Sequence, residues 1–418
     1  MNQNCPVHPV PCILMRKLSF LLVFFGFLSA LRAVAADAQP PAPAPYVVMV
    51  SLDGFRHDYA ERYQAKNLLA MRDAGASARS MIPTFPSLTF PNHYSIITGL
   101  YPEHHGIVSN NFYDPARDAE YSLKKTAADG SWYSGKPLWV LAEEQQIKTA
   151  AMFWPGSEAE IGGVRPSYWL PYDDNFPDEQ RVDRVIGWLK LPENQRPHFI
   201  TLYFSDVDTA GHKFGPESAG TAAAVQKVDG LIGSLRQRLA ATGLPVNLIV
   251  VSDHGMQLTN GYVNLSDYLD LTKLHVATDG PLALFYAPDQ RTAKTVYAAL
   301  KGKSPRFDVY WRKDTPAAWH FRENPRAGDV VLMVRDNGVV VKHAPTRPLN
   351  KGAHGFDPGK YETMRSIFYA AGPNIREHVQ VPPFENVHIY PFVAELMGLK
   401  VTSKINGSAK VLHGIYRP

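Results

Sequence analysis

The chain has 418 residues, more than a single hydrophobic core usually holds, so we expect one large domain with an insertion, or two domains built together. Hydrophobic residues make up 45% of the chain and charged residues 20%, and the 34 prolines are scattered rather than clustered. This composition is ordinary for a folded globular protein and argues against a chain that is mainly disordered.

The first segment has the layout of a secretory signal peptide. Arg16 and Lys17 precede an uncharged apolar run over residues 18–31, and small residues follow it up to Ala36. We therefore predict a signal peptide over residues 1–35 with cleavage near Ala35. The run of about 14 residues is short for a ~30 Å hydrocarbon core, so a permanent membrane anchor is the less favoured alternative. Because the basic pair follows Met15 directly, we expect translation to start there.

Cleavage would change the charge and the cysteine content of the chain. Residues 1–35 hold three basic residues and no acidic one, so 40 basic residues would remain against 39 acidic ones. A nearly neutral protein without clustered Lys and Arg is not expected to bind nucleic acid. Cys5 and Cys12 would both be lost, which excludes disulfides and leaves only His, Asp and Glu as metal ligands.

After a Pro- and Ala-rich spacer over residues 36–45, three apolar runs predict buried β-strands. They are residues 46–52, 198–204 and 246–251, and an acidic residue follows within two positions of each of them. Apolar residues at helical spacing predict helices between them, over residues 92–98, 180–189 and 221–241. Alternating strands and helices indicate an α/β core with a parallel sheet and a site at its carboxyl edge.

The pattern changes between about residues 279 and 343. Three short strands are predicted at Leu282–Tyr286, Phe307–Trp311 and Val330–Val334, around one helix at Gln290–Leu300. We interpret this stretch as a small α+β subdomain inserted into a domain that spans residues 46–418.

Three carboxylates and three imidazoles lie at or near the predicted strand ends and in a Gly-Ala-His-Gly sequence. They are Asp53, Asp208, His212, Asp253, His254 and His354. Taken singly, such residues are often turn residues, helix caps or structural histidines. Taken together, they suit zinc, and six ligands are too many for one open catalytic site. Two metal ions about 3.5–4 Å apart fit better and are suited to phosphoryl transfer.

Thr89 is the best placed nucleophile. It lies just before Pro91, which can open a helix, so its hydroxyl sits where backbone N–H groups and the helix dipole attract an anion. A metal ion would supply the activation that a hydroxyl nucleophile needs. The alternative is a plain helix-capping threonine.

These residues occur within six motifs, which are Ser51-Leu52-Asp53-Gly54-Phe55-Arg56, Thr89-Phe90-Pro91-Asn92-His93-Tyr94, His105-Gly106-Ile107-Val108-Ser109-Asn110, Asp208-Thr209-Ala210-Gly211-His212, Ser252-Asp253-His254-Gly255-Met256 and His354-Gly355. In their order and spacing they resemble the bacterial nucleotide pyrophosphatase/phosphodiesterase family of the alkaline phosphatase superfamily. The resemblance covers residues 46 to about 357. It implies an alkaline-phosphatase-like α/β core with a mostly parallel sheet flanked by helices.

The resemblance also implies a role for each site residue. One zinc ion would be held by Asp53, Thr89, Asp253 and His254, and a second by Asp208, His212 and His354. Thr89 would be the nucleophile, and the Asn110 amide with the Thr89 backbone N–H would bind a phosphate oxygen. Phe90, Tyr172 and Tyr203 match positions where relatives sandwich a nucleotide base.

The expected activity is hydrolysis of nucleotide phosphodiester or pyrophosphate bonds, which releases nucleoside 5′-monophosphates through a phospho-threonine. Lipid or choline-headgroup phosphodiesters are the alternative substrates, and a phosphate monoesterase is less favoured. A non-catalytic periplasmic protein that binds nucleotides or metal is the alternative of another class. We expect export to the periplasm or outside the cell, with no stable membrane anchor after cleavage. Manganese or iron in place of zinc, and the oligomeric state, stay open.

Overall fold

The computed structural model describes residues 45–418, so the predicted signal peptide and residues 36–44 of the predicted spacer lie outside the described part. Its strands are β1 Tyr46–Leu52, β2 Ala76–Ala78, β3 Met81–Ile82, β4 Asn111–Asp114, β5 Ala119–Ser122, β6 Thr149–Met152, β7 Tyr168–Trp169, β8 Phe199–Phe204, β9 Val246–Val251, β10 Gln257–Leu258, β11 Tyr262–Asn264, β12 His275–Asp279, β13 Leu282–Tyr286, β14 Phe307–Trp311, β15 Val330–Val334, β16 Val339–Val341, β17 Gly352–Ala353, β18 Phe368–Ala371, β19 Val379–Val381 and β20 Phe384–Glu385. Its α-helices are α1 Tyr59–Arg62, α2 Lys66–Ala74, α3 Thr89–Thr98, α4 Pro102–His105, α5 Leu138–Glu144, α6 Asp178–Leu189, α7 Asp206–Phe214, α8 Ala219–Ala241, α9 Gln290–Leu300 and α10 Ile389–Leu396.

An eight-stranded sheet forms the centre of this part of the chain, in the order β19-β2-β18-β9-β1-β8-β6-β7. The five strands from β9 to β7 are parallel, and β18 joins them antiparallel to β9. The predicted α/β core with a mostly parallel sheet is confirmed. Connections through helices between parallel strands place helices on the two faces of such a sheet, which buries its central strands on both sides.

Strand β1 shows why its sequence is apolar at every position except Ser51. Val47 and Met49 belong to the hydrophobic cluster on one face, where α3, α5 and α10 contribute side chains. Val48 and Val50 belong to the cluster on the other face, together with side chains of α2, α6 and α8. A strand covered on both faces has no solvent-facing position, so an alternating polar pattern would be destabilising here.

The stretch predicted as an inserted subdomain contains a four-stranded antiparallel sheet in the order β12-β13-β15-β14, and α9 adds side chains to its core. We keep the name inserted subdomain for this sheet and helix. Its first strand begins at His275, four residues before the predicted start of the insertion. This strand was not predicted, because its residues His-Val-Ala-Thr-Asp offer one large apolar side chain. The His275 ring instead stacks on Tyr113 of β4, with the ring centroids 3.9 Å apart.

The register of the central strands brings their carboxyl ends to one level. Leu52 of β1 lies opposite Phe204 of β8, and Ser51 lies opposite Val251 of β9. The acidic residues that follow these strands therefore meet at one edge, as the sequence predicts. None of the helices within residues 45–418 has the length and apolar character needed to cross a membrane.

Candidate active site

The three acidic residues at the sheet edge come together with histidines, of which His93 and His354 come from other segments. Ligand atoms of Asp208, His254 and His354 lie within 4.8 Å of one another, and so do those of Asp53, His93 and Asp253. The turn after β1 approaches α7 closely. Gly54 has a φ of 69°, and a Cβ atom there would lie 2.8 Å from the Asp208 Cα, so only glycine allows this approach.

Each histidine of the predicted ligand set is oriented by a backbone carbonyl. The Nδ1 atoms of His212, His254 and His354 lie 2.8, 2.9 and 3.0 Å from carbonyl oxygens of Gly352, Gly255 and Ser87. A carbonyl only accepts, so each Nδ1 carries the proton, and each Nε2 faces the cluster. Oriented imidazoles of this kind are typical of metal ligands, whose second nitrogen donates to an outer partner.

The Nε2 atoms of these rings face carboxylates and one another. His254 Nε2 lies 3.0 Å from Asp253 Oδ2 and 3.5 Å from Asp53 Oδ1. His212 Nε2 and His354 Nε2 are 3.2 Å apart, and the Asp208 carboxylate lies 3.5 Å from each. Because lone pairs on neighbouring nitrogens repel, a cation between these groups would stabilise the arrangement.

Buried carboxylate oxygens of the cluster lack hydrogen-bond donors. Among the described side chains, these include Asp53 Oδ1, Asp208 Oδ1 and Asp253 Oδ2. Burial, with the charges of Asp253 and Asp208, raises the pKa of Asp53 well above its usual value. Burial also acts on Asp253, but the neighbouring His254 and His93 hold its pKa well below the usual value. Such unsatisfied buried acceptors are costly without a cation, so this set of oxygen and imidazole donors fits divalent metal ions.

Thr89 is the first residue of α3 and lies at the edge of this cluster. Its Oγ1 is 3.2 Å from His254 Nε2. The helix begins three residues before the predicted start at Asn92, because Pro91 occupies the first turn, where its missing N–H costs nothing. Ser87 nearby is fully buried, and its hydroxyl donates to the Phe356 carbonyl. Burial and this hydrogen bond argue against Ser87 as the nucleophile.

Asn110 is buried and lies beside the first turn of α3. Its side-chain Oδ1 accepts a hydrogen bond from the Phe90 N–H at 2.9 Å. This contact fixes the orientation of the amide and leaves its Nδ2 donors for the cavity, which Asn110 lines. The same geometry would suit an oxyanion donor.

The three aromatic residues predicted to contact a base line one cavity of about 1000 Å³ next to Thr89. Phe90 is half-buried and Tyr172 is 45% exposed, so both rings are accessible from the cavity. Tyr203 is only 7% exposed, and its hydroxyl donates to Asp53 Oδ2 at 2.6 Å. The stacking role of all three residues stays a prediction, and the structure adds for Tyr203 a contact that orients Asp53.

The sequence interpretation missed His93, although it lies four residues after Thr89 in a quoted motif. Its Nδ1 is 2.9 Å from the Thr89 carbonyl and 3.3 Å from Asp253 Oδ2, and its Nε2 is 2.8 Å from Ser51 Oγ. Both ring nitrogens are therefore engaged by protein atoms. His93 is thus held by the Thr89 carbonyl and Ser51 next to Asp253, which argues against a role as a metal ligand.

The sequence profile described as type I phosphodiesterase/nucleotide pyrophosphatase matches residues 47–357. The chain is 35% identical over 391 residues to mouse ectonucleotide pyrophosphatase/phosphodiesterase family member 1, covering 88% of this chain and 43% of that protein. It is 36% identical to a venom phosphodiesterase of Macrovipera lebetinus, covering 85% and 43% of the two chains. It thus spans less than half the length of these two relatives. A pyrophosphatase/phosphodiesterase of Schizosaccharomyces pombe is 36% identical, with 84% of this chain and 77% of that protein covered.

A solved structure of a related protein is also similar to this chain. Murine ectonucleotide pyrophosphatase/phosphodiesterase 5, as an inactive threonine-to-alanine variant in complex with AMP, superposes with a TM-score of 0.84 at 28% identity, over 89% of this chain and 100% of that one. The predicted alkaline-phosphatase-like α/β fold is confirmed by this match. The chain belongs to the type I phosphodiesterase/nucleotide pyrophosphatase family.

Proposed function

We propose that the protein hydrolyses phosphodiester or pyrophosphate bonds of nucleotides and releases nucleoside 5′-monophosphates through a phospho-threonine on Thr89. The observation that carries this proposal is the Thr89 hydroxyl at a helix N-terminus, 3.2 Å from His254 Nε2 and beside two groups of His and Asp side chains. A hydroxyl in this position meets both an anion-attracting helix end and the donors of a metal site.

Two zinc ions would complete the site. Asp53, Thr89, Asp253 and His254 would hold one ion, and Asp208, His212 and His354 would hold the other. His254 lies near both groups, because its ring stacks on His354 with centroids 3.7 Å apart and its Nε2 approaches Asp53 and Asp253. Bound zinc supplies Lewis-acid stabilisation of phosphate charge and lowers the pKa of a coordinated hydroxyl.

The residues of the chain bind the phosphate and form the covalent bond. Thr89 Oγ1 attacks phosphorus, the bond to the leaving group breaks, and water then cleaves the threonine ester to regenerate the hydroxyl. Asn110 Nδ2 and the Thr89 backbone N–H donate to a non-bridging oxygen, which carries more charge in the transition state. The proposed role of Thr89 as nucleophile is supported by the murine relative, which was solved as an inactive protein with a threonine-to-alanine change.

The cavity favours a nucleotide as substrate. Phe90 and Tyr172 present rings next to the phosphate position, and stacking on such rings accepts any base. The complex of the murine relative with AMP supports the same substrate class. Nucleoside triphosphates and dinucleoside polyphosphates fit this description, as do related diesters.

A comparison of three chromogenic substrates tests the assignment. We expect para-nitrophenyl thymidine 5′-monophosphate to be cleaved with a higher kcat/KM than para-nitrophenyl phosphate or para-nitrophenyl phosphorylcholine, with AMP competing. Arg347 also lines the cavity, and arginine is suited to bind the dianionic phosphate of a monoester. The monoester is therefore included as a comparison substrate. Preferred cleavage of the monoester would indicate a phosphatase, and preferred cleavage of the choline ester a headgroup phosphodiesterase.

The proposed catalytic domain spans residues 46–418, behind a signal peptide over residues 1–35. The matched relatives are named as ectoenzymes and venom enzymes, which supports an exported protein. We therefore propose that the mature protein acts in the periplasm or outside the cell. Amino-terminal sequencing of the protein recovered from cell fractions tests both statements, and an uncleaved cytoplasmic product would contradict them.

A further inference from the structure

Asp279 is an acidic side chain of the cavity that the proposed mechanism leaves unused. It is the last residue of β12, so the inserted subdomain supplies it, and it lines the same cavity as Thr89. Its carboxylate Oδ2 accepts a hydrogen bond from Ser109 Oγ at 3.2 Å, and the backbone N–H of the next residue, Asn110, is close enough to lower the pKa of the carboxyl group. Among the described residues, no Lys or Arg forms an ion pair with it.

The location of this carboxylate is unfavourable for substrate binding by itself. A negative side chain in a cavity that binds phosphate repels the ligand and loses its own hydration. Burial accordingly raises the pKa of Asp279 to about 6, although Ser109 and Asn110 act in the opposite direction. A compensating gain has to come from the hydrogen bond that Ser109 donates to the group and from the nearby Asn110 N–H, and hydrogen bonds to a charged acceptor are roughly twice as strong as neutral ones.

The Ser109 hydrogen bond connects Asp279 to the proposed phosphate-binding donor. Asp279 holds Ser109, the neighbour of Asn110, and the Asn110 side chain accepts from the Phe90 N–H next to Thr89. On its other side, the turn after β12 lies against the loop of His354. A Cβ atom at Gly280, whose φ is 53°, would lie 2.3 Å from the His354 carbonyl oxygen. The end of β12 thus lies between the Ser109–Asn110 turn and the loop of His354.

We propose that Asp279 is a positioning residue, which holds the Ser109–Asn110 turn so that the Asn110 amide meets the transferred phosphate. The inserted subdomain then contributes to catalysis through this carboxylate, without contacting the substrate phosphate itself. The inference rests on the proposed function, because it needs Asn110 to be a phosphate donor.

A double-mutant cycle tests the inference. Hydrolysis of para-nitrophenyl thymidine 5′-monophosphate is measured for wild type, D279A, N110A and the double variant. We expect D279A to lower kcat by about 10- to 100-fold with little change in KM, because small displacements of a positioned donor act on the transition state. In the N110A background the same change should cost less than about threefold, since coupled residues are not additive.

D279N and a binding measurement complete the design. D279N keeps an acceptor for Ser109 Oγ and should recover most of the lost kcat, and thermal midpoints and zinc contents check that each variant is folded and loaded. An undiminished D279A effect in the N110A background would overturn the proposal. A wild type without turnover would contradict the proposed function instead. The same cycle on AMP affinity, measured by calorimetry, would then decide on Asp279, with additive losses refuting it.

Discussion

The bond from Tyr203 to Asp53 makes a prediction that separates two roles of one side chain. Y203F removes a single oxygen and leaves the ring in place, with its edge contacts to His93 and Tyr172 at centroid distances of 5.3 and 6.1 Å. Asp53 Oδ2 then loses the donor 2.6 Å away that orients the carboxylate, while Oδ1 lies 3.5 Å from His254 Nε2 at the proposed metal site. Loss of an outer partner of a metal ligand typically weakens metal binding about 10- to 100-fold, or about 1.4–2.7 kcal/mol.

Zinc retention against a chelator is the assay for Y203F, with kcat measured at each zinc content. Y172F is the matched control, because its hydroxyl donates to Asp174 on the surface. We expect Y172F to retain zinc as the wild type does, and Y203F to lose it at a lower chelator concentration. A Y203F protein that holds zinc like the wild type would refute the orienting role.

Three further predictions concern Ser87, the metal site and His105. S87A should keep kcat within about threefold and lose about 1 kcal/mol of stability, because its buried hydroxyl only bonds Phe356; an inactive, zinc-loaded S87A would contradict Thr89 as nucleophile. Chelation should lower the thermal midpoint, and zinc at 100 times its Kd should restore about 2.7 kcal/mol; an unchanged midpoint would argue against a metal site. Burial lowers the pKa of His105 to about 3, so its contribution to stability is present above pH 6.5 and is lost as the pH falls toward 3. H105Q should flatten the plot of unfolding free energy against pH in this window by up to about 1.4 kcal/mol per pH unit, as followed by urea denaturation, and an equal slope would contradict this.

Elements with continuous apolar runs were predictable from the sequence. The bounds of β1, β9, β13, β14, β15 and α9 agree with prediction. A strand buried on both faces, or a helix with a capping Asp289, leaves a pattern that needs no tertiary information. Parallel strands end at the same edge of a sheet, so the sequence also predicted that Asp53, Asp208 and Asp253 lie together at one edge.

The orienting contacts of the site were not predictable in the same way. Ser51 and His93 are 42 residues apart, and Ser109 and Asp279 are 170 apart. Their contacts depend on how α3 and the inserted subdomain dock, for which a single sequence carries no periodic signal. The hydroxyl of Tyr203 is a similar case, because a tyrosine in a buried strand is usually explained by its ring alone. Residues that hold the proposed ligands in place are therefore found from the structure, while the proposed ligands themselves are predicted from motifs.

The most direct test of the central claim uses purified mature protein and its T89A variant. Both are assayed with para-nitrophenyl thymidine 5′-monophosphate, and the zinc content of each is determined. We expect rapid wild-type turnover with two zinc ions per chain, and loss of turnover in T89A while zinc is still bound. A zinc-loaded T89A protein as active as the wild type would contradict the covalent phospho-threonine.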